Sequence, residues 1–519
     1  MNPSIFNDVI GPVMRGPSSS HCAAALRLGW LARDLLEGDI EQVLVQFDRH
    51  GSLATTHESQ GSDMGLFAGL LGWEATEERL PDAGRVLRAA GVKVTVEIGD
   101  FGFEHPNTYR IELQNARDRH VLTGISTGGG MIEVVAIDET PVSLLGDYRE
   151  TLIWMTGRLG EDAGRLAERI GADEILLHES ANGALVQVKA QRFLEENEIA
   201  EFRAGGKVRY VRRLRPVLPV LSRRGMTVPF STCEQMLRYD RGRNLPPWEL
   251  AVQYESQRGN LSQDEVLQRM IQIVQIVRAS LRQGLQGTTY GDRILGPQGG
   301  QFQARLQAGG LLEAGLLNPT IRNVTALMEV KSAMGVIVAA PTAGACAALP
   351  GTCLAVADGL GVGDEETAKA MLAAGLIGVL VAFRTTFAAE VCGCQAECGV
   401  ASGMTAAALI SLAGAGVRAA VTAASMAFQN SLGMICDPVA NRVEVPCLGK
   451  NVMAAANALA CANMALAGYD PVIPLDEVIE TMDRVGRSLP RELRCTALGG
   501  LSVTPTSKEI EARLQKPPR

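Results

Sequence analysis

Residues 399–427 read "GVASGMTAAALISLAGAGVRAAVTAASMA", and the fold of the C-terminal half turns on how that run is understood. It is apolar almost throughout, yet it is made of Ala, Gly and Ser rather than Leu, Ile and Phe. Comparable segments occupy 333–357, 367–383 and 452–467. Membrane spans are long, uninterrupted, rich in large apolar residues and flanked by basic loops. These segments are instead interrupted by Pro341, Pro350, Arg384, Glu390 and Glu397. The reading is therefore no membrane, but helices that are apolar all round because they have no solvent face. From about residue 231 onward the pattern is helical, including "LSQDEVLQRMIQIVQIVRASLRQGL" (261–285), an amphipathic helix with Ser262 as its N-cap.

The first 215 or so residues read differently. "QVLVQFD" (42–48) and "VKVTVEIGDFGF" (92–103) alternate with period two, while "AAALRLGWLARDLLEG" (23–38) has helical spacing and a glycine stop. Basic, proline-containing "RRLRPVLPVLSRRGMTVPF" (212–230) reads as a linker. The expected fold class is an α+β N-terminal domain over 1–145, a small further unit and linker over 146–230, and an all-α, small-residue-rich domain over 231–519.

With 519 residues and a net charge of −8, the chain suits a cytoplasmic enzyme of small molecules and offers no nucleic-acid surface. "MNPSIFNDVIGPVMRG" at the N-terminus lacks a basic region followed by an apolar run, so no signal peptide is expected. The 11 cysteines are then reduced thiols, ligands or core fillers rather than a disulfide framework. Only Cys22 and Cys233 precede residue 340, whereas His21, His50, His57, His105, His120 and His178 all lie in the first 178 residues. If C-terminal thiolates hold a metal, any imidazole acid or base must reach it from the N-terminal half.

Several local patterns carry chemistry. "GPSSSHCAAALRLG" (16–29) sets hydroxyls and a histidine ahead of a helix, as an anion site or as ordinary capping. "HPNT" (105–108) presents His105 and Asn107 on a loop, and "GISTGGG" (124–130) is an anion-cradling turn or a hairpin. "AAPTAGACAALPG" (339–351) breaks an apolar helix and frees backbone groups. "CGCQAECG" (392–399) has the spacing C-x-C-x₃-C, which fits neither a zinc ribbon nor a ferredoxin run. Cys436 and Cys447 each lie beside a proline in "NSLGMICDPVANRVEVPCLGKN" (430–451).

Taken in order, these motifs resemble the iron–sulfur-dependent L-serine dehydratases (L-serine ammonia-lyases) in the single-chain form, with a β-domain ahead of an α-domain. "GPSSSH", "SQGSD", "HPNT" and "STGGG" occur in the family's order, followed by "AAPTAGACAALPG", "GCQAECGVASGMTAA", "CDPV", "VEVPC" and "GGLSV". The resemblance spans about 4–140 and 250–505. It implies a [4Fe-4S] cluster on Cys394, Cys436 and Cys447, with one iron left free for a small amino-acid substrate. Loss of the β-hydroxyl then needs that iron as a Lewis acid and a base for the Cα proton. His21 and His105 are the candidate catalytic residues, with Lys331 or Lys450 as fallback bases. Ser18, Ser19, Ser20, Asn107, Thr108, Gly128, Gly129 and Gly130 are candidate holders of the carboxylate and amino group. Thr342 and Gly344 are expected to line the α-domain wall. The resemblance also implies a homodimer, and residues 146–190 have the rhythm of the small ACT domains of some relatives.

The chain departs from the family pattern at four places. "RILGPQGG" (293–300) lacks the family's serine and acid, Gln60 stands where a histidine is usual, and the chain does not end in cysteine. Cys495, a few residues before "GGLSV", is the nearest thiol to that end, and Cys346 replaces a small residue. The same machinery acting on L-cysteine or another β-hydroxy amino acid is the alternative function, and a non-catalytic amino-acid-binding regulator the second.

Overall fold

The computed structural model describes residues 2–515 except 157–162, 181–182 and 206. The N-terminal region carries a six-stranded sheet. In spatial order its strands are Lys93–Gly99, Gln42–Asp48, Thr108–Gln114, Arg119–Gly128, Met131–Ile137 and Thr140–Leu144. The Gln42–Asp48 and Lys93–Gly99 strands run parallel and the remaining pairs antiparallel. Helices Ala24–Leu35 and Ser62–Leu70 pack closely against each other at this sheet. Gly128–Gly130 form the tight turn between two strands, so the glycine run is a hairpin tip.

A second, four-stranded antiparallel sheet follows, in the order Lys207–Leu214, Arg149–Thr156, Gly183–Ala190, Glu174–Ser180. With helices Ala163–Ile170 and Glu196–Gly205 it forms a complete β-α-β-β-α-β unit having its own apolar core. The linker expected near 210–230 thus begins inside a strand, because Val208 and Val211 pack against that core. Its arginines are paired rather than loose, Arg212 with Asp118 and Arg215 with Asp34 at 2.8 Å.

From Cys233 onward the chain is helical. Ser262 caps Gln263–Gln286 in a reciprocal capping box with Glu265. Asp364–Ala382 and Cys398–Leu412 lie at the centre and are buried along nearly all their length. Their small residues permit close approach: a Cβ on Gly403 would sit 2.1 Å from the Phe428 ring. One stretch among the described residues, Ala343–Leu360, is long and apolar enough to cross a membrane, and 83% of it is buried inside the protein. The all-α expectation needs one correction. Ile337–Val338 pairs antiparallel with Val13–Met14, making a two-stranded link between the halves. Two residues with a partner over three hundred positions away leave no periodic trace in sequence.

The N-terminal segment also crosses between halves. Ser4 donates to Glu255 at 2.5 Å, and Ile5 and Val9 press on the faces of Gly375 and Gly378. The two halves therefore share one apolar core, which fixes the cleft between them.

Candidate active site

Of the three thiols that resemblance singled out, Cys394 and Cys436 are brought together by ordinary hydrogen bonds, while Cys447 lies outside the donor group that they form with Glu397. Cys394 opens a short 3₁₀ turn, and the next residue, Gln395, ties that turn to the following loop. The Gln395 amide N–H donates to Met434 O (3.1 Å), and its side-chain oxygen accepts from Gly433 N–H (2.9 Å). Cys447 starts helix Cys447–Leu466. One turn on, Lys450 donates to Ile435 O at 2.7 Å and to Asp437 at 2.9 Å, clamping the loop that carries Cys436. Asn451 donates to Gly344 O (2.7 Å) and accepts from Ala348 N–H (3.0 Å), which fixes the "PTAGA" turn to the same helix.

Cys394, Glu397 and Cys436 bring one donor atom each to within 4.8 Å of one another. Cys436 hydrogen-bonds with Cys394 and Cys495, and these bonds, with burial, push its thiol well above the ordinary range. Burial likewise raises Cys447, and the nearby Cys394 adds to it. The Cys495 segment is zipped to Cys436 by two backbone bonds, Cys436 N–H to Leu493 O (2.9 Å) and Cys495 N–H to Cys436 O (3.1 Å). Buried thiols crowded together are a soft sulfur donor set, and such a set fits an iron–sulfur group. Cys392 points elsewhere, toward Asp483 at 3.8 Å. Cys398 packs with Ala345, Ala348, Ala401 and Ala454 and accepts from Asn451. All eleven cysteines are free and buried.

The N-terminal domain supplies imidazoles to this wall. His21 is fully buried, with Nδ1 3.0 Å from the Ser18 hydroxyl and Nε2 2.9 Å from that of Thr56. Thr56 spends its own proton on Ser52 O at 2.7 Å, so it accepts from His21 Nε2–H. Nδ1 is then the lone-pair nitrogen, and it lies 3.6 Å from Glu390 Oε1. Burial drives the His21 pKa down to about 3 and pushes Glu390 up. The imidazole is neutral and the carboxyl tends to hold its proton. His105 has the same tautomer, because its Nδ1 accepts Asn107 N–H at 3.1 Å and its proton is on Nε2. Burial lowers its pKa, opposed by Glu390.

The other expected residues divide by what they hold. Ser20 donates to Glu390 at 3.1 Å, and Ser19 accepts Ala343 N–H at 3.1 Å, bridging the domains. Thr108 spends its hydroxyl on His105 O at 2.8 Å. Asn107 lies against Glu390 and helps to hold its carboxyl down; beyond that contact its side-chain nitrogen and oxygen have no hydrogen-bond partner among the described residues, as is true of Ser126 Oγ. Gly128, with φ +106°, abuts Ala388, where an added Cβ would meet its nitrogen at 2.8 Å; Gly129 faces Pro341 O and Gly130 faces Pro12. The hairpin tip thus seats the α-domain closely and lies beside the serine-rich turn. Thr342 donates to Glu397 at 2.7 Å, and the bare face of Gly344 lies against the same carboxylate. Burial pushes Glu397 up to about 7.

Sequence reasoning missed the roles of Glu390 and Glu397. Both were visible as charges interrupting an apolar run, a signal that served only to argue against membrane spans. Gln60, at the position where a histidine is usual, donates to Cys495 Sγ at 3.6 Å. The divergent 293–300 loop is held from outside itself, with Ile294 and Leu295 N–H donating to Glu444 and Gln298 and Gly299 N–H to Glu329.

Comparison with known proteins agrees with this layout. The family described as "Serine dehydratase alpha chain" matches residues 242–502. A Bacillus subtilis (strain 168) protein named "Probable L-serine dehydratase, alpha chain" is 35% identical over 285 residues, covering 55% of this chain and 95% of its own. The same organism's "Probable L-serine dehydratase, beta chain" is 32% identical over 204 residues, 38% of this chain and 91% of its own. The Streptomyces coelicolor protein named "L-serine dehydratase" is 26% identical over 495 residues, 94% of this chain and 96% of its own.

Proposed function

The chain belongs to the serine dehydratase alpha-chain family, and from that membership and the cleft chemistry we propose that it is an iron–sulfur-dependent L-serine ammonia-lyase. The overall reaction removes the Cα proton and the β-hydroxyl of L-serine as water. The resulting aminoacrylate tautomerises to an imine and hydrolyses to pyruvate and ammonia. Cys394, Cys436 and Cys447 would hold a [4Fe-4S] cluster, which when bound supplies a Lewis-acidic iron for the hydroxyl leaving group.

The chain's own residues do the rest. His21 Nδ1 is the acceptor for the Cα proton: burial keeps the ring neutral at working pH, and the Thr56 and Ser18 contacts fix its tautomer and plane. Glu390, 3.6 Å away and shifted in the opposite direction, makes with it a pair that handles one proton between them. The Asn107 side-chain oxygen and Glu390 Oε2 suit the substrate's ammonium group as acceptors. Ser18, Ser19 and Ser20, with Gly128–Gly130, hold the N-terminal wall against the α-domain and keep water out. His105, protonated at Nε2, acts as a donor rather than a base.

The observation that carries this reading is the meeting of the two residue classes the sequence keeps apart. The buried thiols Cys394 and Cys436 of the C-terminal half share one cleft with His21 of the N-terminal half, joined through Glu390 and Glu397. A homodimer belongs to the same reading on the family resemblance, and eleven unpaired buried thiols suit a reducing compartment such as the cytoplasm. The test is anaerobic reconstitution with iron and sulfide, followed by assay on L-serine. Equimolar pyruvate and ammonia are expected, and an iron-loaded protein that releases neither overturns the proposal.

A further inference from the structure

A cavity of about 760 Å³ is walled by both halves of the chain and by the connection between them, and it includes none of the thiols. Ile10 comes from the N-terminal segment and Trp30 from helix Ala24–Leu35. Leu218 comes from the connection after the second sheet, and Ile273 and Ile276 from helix Gln263–Gln286. A concave space of this size with mostly apolar walls is what a small organic ligand requires. Trp30 adds no free donor, because its Nε1–H is spent on Trp73 O at 2.9 Å.

The charges divide between rim and interior. At the rim, Glu74 and Gln272 are exposed, Glu265 accepts from Ser262 at 2.7 Å, and Arg269 donates to Pro219 O at 3.1 Å. Arg27 also lines the cavity, yet it is only 4% exposed. Its Nη1 makes both of its hydrogen bonds among the described residues, to Gly130 O at 2.6 Å and to Met131 Sδ at 3.8 Å. Nε and Nη2 are left over, and Arg27 forms no ion pair among the described residues. Asp8 acts on it only from beyond ion-pair distance, with Oδ2 taking Ser4 N–H at 2.7 Å. Burial holds the Arg27 pKa down at about 10, so Asp8 does not compensate for the lost water. A buried cation is costly until it is paired, and the cavity is the side from which a partner can reach it.

We propose that this cavity binds an amphipathic monocarboxylate, its carboxylate paired with Arg27 and its aliphatic or aromatic body lying along Trp30, Leu218, Ile273 and Ile276. The planar guanidinium fork matches a carboxylate. A phosphate ester would bring a second charge that the one buried cation, already opposed by Asp8, does not balance. The Nη1 bond of the same guanidinium ends on Gly130, at the hairpin tip that seats the two halves of the protein. A ligand on Arg27 therefore braces that tip from the side away from the thiols. The site stands independently of the ammonia-lyase reading, because its test measures binding alone.

The experiment titrates full-length protein, purified anaerobically, with octanoate and with octanamide by calorimetry. Saturable octanoate binding is expected, tighter than that of the amide by ~10- to 100-fold, the range for one charge-assisted bond. Arg27→Gln should abolish the preference, and Arg27→Lys should keep part of it. The preference is a ratio within one protein, so a modest loss of stability does not mimic it. If Arg27→Gln does not fold, Ile273→Trp decides: it fills the cavity from a half-buried position and should abolish octanoate binding. An excess of L-alanine should leave octanoate bound. The proposal is overturned if wild type binds acid and amide equally or binds neither, or if folded Arg27→Gln keeps the preference. It is equally overturned if Ile273→Trp binds octanoate as tightly as wild type, or if L-alanine displaces it, which would place the probe in the catalytic cleft.

Discussion

Nδ1 of His21 lies 3.6 Å from Oε1 of Glu390, with both side chains almost wholly out of water. One belongs to the N-terminal domain and the other to the C-terminal domain, so the proton-handling pair exists only when the two are docked. Replacing Glu390 by Gln keeps its shape and hydrogen-bonding reach but removes its acidity. The expected outcome is a fall in kcat of ~100-fold or more, with KM within a few fold and iron content intact. His21→Gln should behave alike. Anaerobic steady-state kinetics decide it, and a kcat within threefold of wild type for both variants removes the pair from the mechanism.

The thiols sort by what surrounds them. Alanine at Cys394, Cys436 or Cys447 should abolish iron retention after reconstitution and desalting. Alanine at Cys392 or Cys398 should leave it intact, since those sulfurs face Asp483 and the Ala345–Ala454 packing instead. Iron analysis with visible absorbance measures this directly. Retention by the Cys394 variant would show the ligand assignment to be wrong.

The hairpin tip is predicted to tolerate no side chain. Gly128→Ala asks for a positive φ and for a Cβ 2.8 Å from the Ala388 nitrogen. Its cost should be about 1–3 kcal/mol, seen as a lower melting temperature together with a raised KM, because the tip seats the two walls of the cleft. An alanine variant with unchanged melting would mean that the domains give way easily here.

Glu150, in the second sheet, is a pH-dependent weak point. It is buried, and burial pushes its pKa up to about 8 despite Lys189 and the hydrogen bond from Gln187. In the unfolded chain it titrates near the ordinary value of 4.5. The folded state therefore holds the extra proton between those values, and stability is lost as pH rises from about 4.5 through 8. Glu150→Gln should raise the melting temperature at pH 8.5 more than at pH 5.5. Equal shifts at both pH values would contradict the buried, protonated state.

Much of this was legible along the chain. Small-residue composition with charged interruptions distinguished buried helices from membrane spans, and Asp364–Ala382 and Cys398–Leu412 are buried in that way. The separation of histidines from cysteines meant that an imidazole serving C-terminal thiolates had to come from the N-terminal half, and His21 meets Glu390 across that boundary. The C-x-C-x₃-C run does not act as one unit: Cys394 meets Cys436, while Cys392 faces Asp483 and Cys398 packs among alanines. What stayed hidden depends on long-range contact. The pairing of Val13–Met14 with Ile337–Val338 has no local signature. Glu390 and Glu397 each looked like a break in an apolar run, because their importance lies in what they are buried against, which spacing alone does not encode. The strand at Lys207–Leu214 was masked by its arginines, whose partners Asp34 and Asp118 lie in the first domain.

The central claim is that thiol-held iron and the buried imidazole act together on L-serine. It is tested most directly by preparing the protein anaerobically at graded iron loadings and measuring pyruvate release from L-serine at each. The account predicts a rate that rises in proportion to iron bound per chain and vanishes at zero. Pyruvate released at an undiminished rate by iron-free protein would contradict it.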